Sequence, residues 1–88
     1  MSTYRLKILS PEKALYEGDV ISITVPGAGG LLTVLSGHES MAALLKTGPL
    51  IIRTAENTLE AEIGPAFLSV SQNEAVLLGH AFRWTKDE

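Results

Sequence analysis

Apolar and polar side chains alternate along most of this chain, and turn-forming residues interrupt the alternation every few positions. Tyr4, Leu6 and Ile8 are interleaved with Arg5 and Lys7, and Ile21, Ile23 and Val25 with Ser22 and Thr24. Leu59, Ala61 and Ile63 alternate in the same way with Thr58, Glu60 and Glu62. A period of two sends successive side chains to opposite faces, one to a core and the other to water, which predicts strands. Shorter apolar runs predict more of them: Leu31 to Leu35, Leu50 to Ile52, Ala66 to Val70 and Ala75 to Leu78. The interruptions are Ser10-Pro11, Gly18-Asp19, Pro26-Gly27-Ala28-Gly29-Gly30, Ser36-Gly37, Gly48-Pro49, Glu56-Asn57, Gly64-Pro65 and Ser71-Gln72-Asn73. No segment sustains a stripe at helical spacing. Met41-Ala42-Ala43-Leu44-Leu45-Lys46 has helical propensity, but it spans only about two turns and is assigned to a strand. Strands at this rhythm predict an all-β antiparallel sandwich or barrel.

With 88 residues the chain makes one domain. Hydrophobic residues at 45% and charged residues at 19% are a folding composition. A domain this small buries a modest share of its surface, which points to support from a partner. There is no cysteine, so disulfides and thiolate chemistry are excluded, and two histidines alone make a poor zinc site. The net charge is −3, and the 7 Lys and Arg form no basic run, which argues against nucleic acid as a partner. The opening residues carry no apolar stretch of signal-peptide length, and no run is long enough to span a bilayer. Membrane association is therefore expected only through another protein. Trp84 is the last expected strand residue, so the sandwich is placed at residues 1–84 and a polar tail at 85–88.

No catalytic constellation stands out. Gly27, Ala28, Gly29 and Gly30 could bring backbone N–H groups to a phosphate. They are followed by Leu31-Leu32 and lack the Gly-Lys-[Ser/Thr] ending of a nucleotide loop, so a plain loop between strands is the better reading, and a flexible loop that touches a partner is the functional alternative. His38 and Glu39 are adjacent, and side chains of neighbouring residues in an extended chain diverge, which spoils an acid–base pair. His80, beside Gly79, reads as a bulge or strand residue. Glu12-Lys13-Ala14 is similar to the modified-lysine motif of lipoyl and biotinyl carrier domains, although it lies near the N-terminus and not mid-domain. A ligand-binding sandwich is a further alternative, but the five aromatic residues (1 Trp, 2 Tyr, 2 Phe) are scattered.

The order of the motifs carries a family resemblance. Gly30-Leu31-Leu32-Thr33-Val34-Leu35-Ser36-Gly37-His38 resembles the Gly-x-Leu-Gly-Ile-Leu-Pro-Gly-His segment of epsilon subunits of bacterial F-type ATP synthases. Tyr4 to Glu12 is similar to the opening strand and turn of that family, and Leu15-Tyr16-Glu17-Gly18 to its second strand. Gly48-Pro49-Leu50 is similar to the start of a later strand, and Ile63 to Val70 to a Gly-Gly hairpin and the strand behind it. The chain departs from the pattern at Ser36, at Ser40-Met41-Ala42-Ala43, at Pro65 and at Leu31, where some relatives carry a polar or acidic residue.

The resemblance implies a two-sheet antiparallel β-sandwich of about ten short strands, without a cofactor, a metal or chemistry of its own. It implies a rotor part that links the gamma subunit to the c-ring and couples ion translocation to ATP synthesis. That part would sit at the cytoplasmic face of the bacterial inner membrane and lack the inhibitory helical arm of longer relatives. By resemblance, Gly27, Ala28, Gly29, Gly30, Leu31 and Leu32, with the turn at Gly37, His38 and Glu39, face the ring. Ser10 and His38 face gamma.

Overall fold

The computed structural model describes residues 2–37 and 39–86. The described residues form strands and connections, with no helix among them. The strands are β1 (Tyr4–Leu9), β2 (Ala14–Val20), β3 (Ser22–Gly27), β4 (Gly30–Leu35), β5 (Met41–Leu45), β6 (Gly48–Arg53), β7 (Thr58–Ile63), β8 (Ala66–Val70), β9 (Glu74–Gly79) and β10 (Phe82–Lys86). They pair in the order β10-β7-β6-β3-β5-β8-β9-β1-β2, with β4 on the other edge of β3. The only register pair between β3 and β5 is Gly27 with Leu45. The path folds there into two layers, β4-β3-β6-β7-β10 and β5-β8-β9-β1-β2.

Inward-facing side chains of both layers make one core. Leu6, Ile8, Val20, Leu68 and Leu77 come from one layer, and Ile23, Val25, Val34, Leu50, Ile52 and Ile63 from the other; all are essentially inaccessible. Each such side chain contributes about 1.5–3 kcal/mol of transfer free energy. The layers are tied at their margins. The Tyr4 hydroxyl donates to the Val34 carbonyl at 2.7 Å, joining β1 to β4. On the opposite side Tyr16 meets Trp84 edge-on at 5.9 Å, joining β2 to β10, and Phe82 meets Trp84 at 4.8 Å.

The all-β expectation holds, and Met41–Leu45 is a strand as assigned. Some details differ. The β1–β9 pair is parallel, whereas the sandwich was expected to be antiparallel throughout. Parallel neighbours need a long crossover, and β2 to β8 supply it. Gly18-Asp19 is not a turn but lies inside β2, with Gly18 opposite Leu6. A Cβ there would stand 2.9 Å from the Tyr16 hydroxyl oxygen, so a larger residue would require the Tyr16 ring to shift. Gly48-Pro49-Leu50 opens β6, as the resemblance implies, with the Pro26 ring packed over Gly48. The last strand runs two residues beyond Trp84, through Thr85 and Lys86.

Candidate partner interface

The pairing register decides which loops share an end of the sandwich. Gly27 lies opposite Leu45, Leu45 opposite Ala66, Ala66 opposite Gly79, and Leu78 opposite Leu9. The β3–β4 hairpin, the β5–β6 and β7–β8 connections, His80-Ala81 and the β1–β2 turn therefore gather at one end. The connections β2–β3, β4–β5, β6–β7 and β8–β9 gather at the other.

Gly27, Ala28, Gly29, Gly30, Leu31 and Leu32 are thus brought to the same end as Ser10. Gly27 and Gly30 close the hairpin, and Gly30 adopts a left-handed φ of 127° that suits glycine. Ser10 closes its own turn, since its backbone N–H donates to the Lys13 carbonyl at 2.9 Å and its Oγ accepts from the Lys13 N–H at 3.2 Å. Lys13 is exposed at the tip of that turn. His80 is exposed in the bend between β9 and β10 and belongs to neither strand. Gly37 and Glu39 lie beyond β4, at the opposite end. At about 3.3 Å per residue, the length of β4 separates them from the hairpin by roughly 17 Å. The two groups therefore lie at different ends of the sandwich and do not form a single loop surface. His38 lies outside the described residues.

The structure adds residues that the sequence pattern did not single out. Leu44, Phe67 and Leu78 are 73%, 41% and 47% exposed, and they lie opposite one another in register, with Leu9 next in the row. Together they form an apolar row across the outward face of β5, β8, β9 and β1, at the hairpin end. Leu31, 64% exposed, stands beside it, across a groove lined by the hairpin, Ala43 and Leu44. A sequence signal for the row did exist. Ala42 to Leu45, Ala66 to Leu68, and Leu77-Leu78 are apolar at both parities, as in strands covered on both faces.

At its other end the same outward face is charged. Arg5 pairs with Glu17 and Asp19 at 3.2 Å each, and Lys7 with Glu74 at 3.1 Å. The carboxylates of Asp19 and Glu17 hold the guanidinium of Arg5 above its ordinary pKa. Such exposed pairs add little stability but keep the surface wetted. A hollow of mixed character at that end is lined by Tyr16, Asp19, Glu56 and Asn57 together with Ala55 and Leu59. Among the described residues no group of three His, Asp or Glu could hold a metal ion. Burial pushes the Tyr4 phenol up to about 12, against a smaller opposing backbone hydrogen bond from Ile23. Desolvation likewise raises Tyr16.

Comparison with known proteins agrees with this architecture. Residues 3–85 match the family model described as "ATP synthase, Delta/Epsilon chain, beta-sandwich domain". The chain is 33% identical over 76 residues to the ATP synthase epsilon chain of Chlorobium limicola, covering 85% of this chain and 86% of that one. It is 40% identical over 79 residues to the epsilon chain of Protochlamydia amoebophila, covering 89% of this chain and 54% of that one. A chain in the mitochondrial ATP synthase of Euglena gracilis, solved as OSCP/F1/c-ring, shares the fold with a TM-score of 0.88 at 20% identity. That match covers 99% of this chain and 57% of the other. With the family model spanning nearly all of the sandwich, the chain belongs to the delta/epsilon β-sandwich family of ATP synthase.

Proposed function

We propose that this protein is a non-catalytic rotor part of the central stalk, held between the gamma subunit and the c-ring of a rotary ATP synthase. The observation that carries this reading is the exposed apolar surface formed by the groove of the β3–β4 hairpin and the Leu44-Phe67-Leu78 row, with the exposed Lys46 at its rim. A membrane-associated assembly would cover that surface, and the charged end of the sandwich would stay in water. A Tetrahymena thermophila structure titled "central stalk/cring" contains a similar fold, with a TM-score of 0.78 at 15% identity, which is consistent with such a setting. The densely packed core suits a part that must transmit torque without yielding. Ser10 and residues 27–32 are proposed as contacts at the hairpin end. Gly37, His38 and Glu39 are proposed as contacts of a different surface. The site is assigned to the cytoplasmic face of a bacterial inner membrane, reached only through the complex.

Cysteine cross-linking tests this in the assembled enzyme. Leu31→Cys and Leu44→Cys should cross-link to neighbouring subunits, while Asn57→Cys, in the β6–β7 turn, should not. Cross-links from Asn57→Cys alone would reverse the orientation.

A further inference from the structure

Four strands end the two layers: β2 and β5 in one, β4 and β10 in the other. Exposed strand edges invite pairing with other chains, and charges on the edge discourage it. β2 carries Glu17 and Asp19, and β10 carries Arg83 and Lys86. β4 and β5 carry no charge. The asymmetry is one of backbone geometry as well. The Pro26 carbonyl accepts from the Lys46 N–H at 2.8 Å, so the polar groups of Pro26 point away from β4. Along a strand these groups alternate in direction. Gly27, Val25 and Ile23 therefore bond to their register partners Gly30, Leu32 and Val34. The N–H and C=O groups of Leu31, Thr33 and Leu35 are left pointing outward from the edge of β4, where no strand of the described residues pairs.

We propose that β4 is a docking edge for an extended, uncharged strand of a neighbouring subunit, which lies along Leu31, Thr33 and Leu35 and extends the β4-β3-β6-β7-β10 layer. The identity of the neighbour as part of an ATP synthase rests on the stalk reading above; the mode of contact rests on the edge itself. An added strand alternates its side chains between two sides. On one side it meets Leu31 and Leu35, 64% and 57% exposed. On the other it meets the groove beside Leu32 and Ala43. Thr33 stands between them on the first side, its Oγ1 3.0 Å from the Thr24 Oγ1, and the groove side is apolar, so the fitting strand is uncharged and mostly apolar at both parities. A second copy of this chain fits less well. A twofold pairing of β4 with β4 would cover Leu31 and Leu35 but leave Leu44, Phe67 and Leu78, on the other layer, in water. One larger partner that lays a strand along β4 and continues over β5 covers both.

Hydrogen exchange at single amides tests the proposal, with the isolated chain compared with the same chain in purified ATP synthase. In the isolated chain the amides of Leu31, Thr33 and Leu35 should exchange fast, while those of Leu32 and Val34 exchange slowly. In the enzyme the three fast amides should slow by roughly 100-fold or more. If the chain is retained in the enzyme and they stay fast, strand addition is wrong while the stalk reading stands. If the chain is not retained, both fall. Slow exchange already in the isolated chain, accompanied by a dimer mass, would assign the edge to a second copy and overturn the proposal. Thr33→Pro provides an independent check, because it removes only an outward N–H. It should melt close to Thr33→Ala yet bind the enzyme at least about 10-fold more weakly, a loss of one hydrogen-bonded pair and of edge access. Binding equal to that of Thr33→Ala would also overturn the proposal.

Discussion

Replacing Leu44 and Leu78 together by asparagine separates a binding surface from a structural one. Complete burial of a leucine contributes about 1.5–3 kcal/mol. Scaling by the exposures of 73% and 47% leaves about 2–3.5 kcal/mol available from a partner that covers both. Affinity for an ATP synthase stripped of this chain should therefore fall about 30- to 400-fold. The unexposed remainders of the same two side chains scale to about 1–2.5 kcal/mol of folding free energy, which lowers the melting temperature of a domain this size by about 5–20 °C and leaves it folded at room temperature. Leu68, which is fully buried, provides the contrast. Leu68→Ala should cost about 2–5 kcal/mol and lower the melting temperature by at least about 8 °C. The assay is a binding titration of each purified variant, with thermal melting of the same samples. Binding by the double variant within about threefold of the parent would refute the assignment of the row to a partner. A drop of more than about 20 °C in its melting temperature would show that these side chains support the core instead.

Three further outcomes follow from the geometry. The Tyr4 phenol is raised in the fold to about 12 from 10.0, so its contribution is complete below pH 10 and is lost as pH climbs from 10 towards 12. Linkage sets that loss at no more than about 2.7 kcal/mol; urea melts of Tyr4→Phe should lack this alkaline decline while standing about 1 kcal/mol lower at pH 8. Gly48→Val would set a Cβ 2.9 Å from the Pro26 Cβ, and the resulting shift should cost about 1–3 kcal/mol in denaturant titration. Trp84→Ala removes the edge contacts with Tyr16 and Phe82 and should destabilise by about 2–4 kcal/mol, with fraying at β2 and β10 seen as faster amide exchange there.

Strand positions were legible where one face is buried and the other wet. Tyr4 to Ile8 and Thr58 to Ile63 alternate cleanly, and both are strands. The glycines were harder. Gly30 does mark a hairpin with a left-handed φ. Gly18 and Gly48 instead lie within strands, and at Gly48 the Pro26 ring packs across the backbone, a tertiary contact that no local pattern records. Pairing partners were equally hidden, since parallel pairing of β1 with β9 joins the two ends of the chain. The candidate site suffered for the same reason. Gly27 to Leu32 are close in sequence to Gly37 and Glu39, but β4 runs between them and carries them to opposite ends. The outward leucines were missed because an apolar run on both parities reads as a buried strand until the missing cover is seen.

Two independent asymmetries of the surface meet at one corner. One runs along the strands: the outward face of β5, β8, β9 and β1 passes from Leu44, Phe67, Leu78 and Leu9 to the ion pairs of Arg5 and Lys7. The other runs across the layers: charges lie on the β2 and β10 edges and are absent from β4 and β5. Packing within the chain requires neither, because Leu31 and Leu44 are well exposed and the core closes without them. A surface that served only solubility would distribute charge over every edge. Leaving this corner apolar, with only the exposed Lys46 at its rim beside β5, exposes the isolated chain to self-association, and that cost is tolerable only where the corner is covered during function. The same corner holds the Gly27–Leu45 pair, where strand pairing passes from one layer to the other, so a partner bound there would cover that junction.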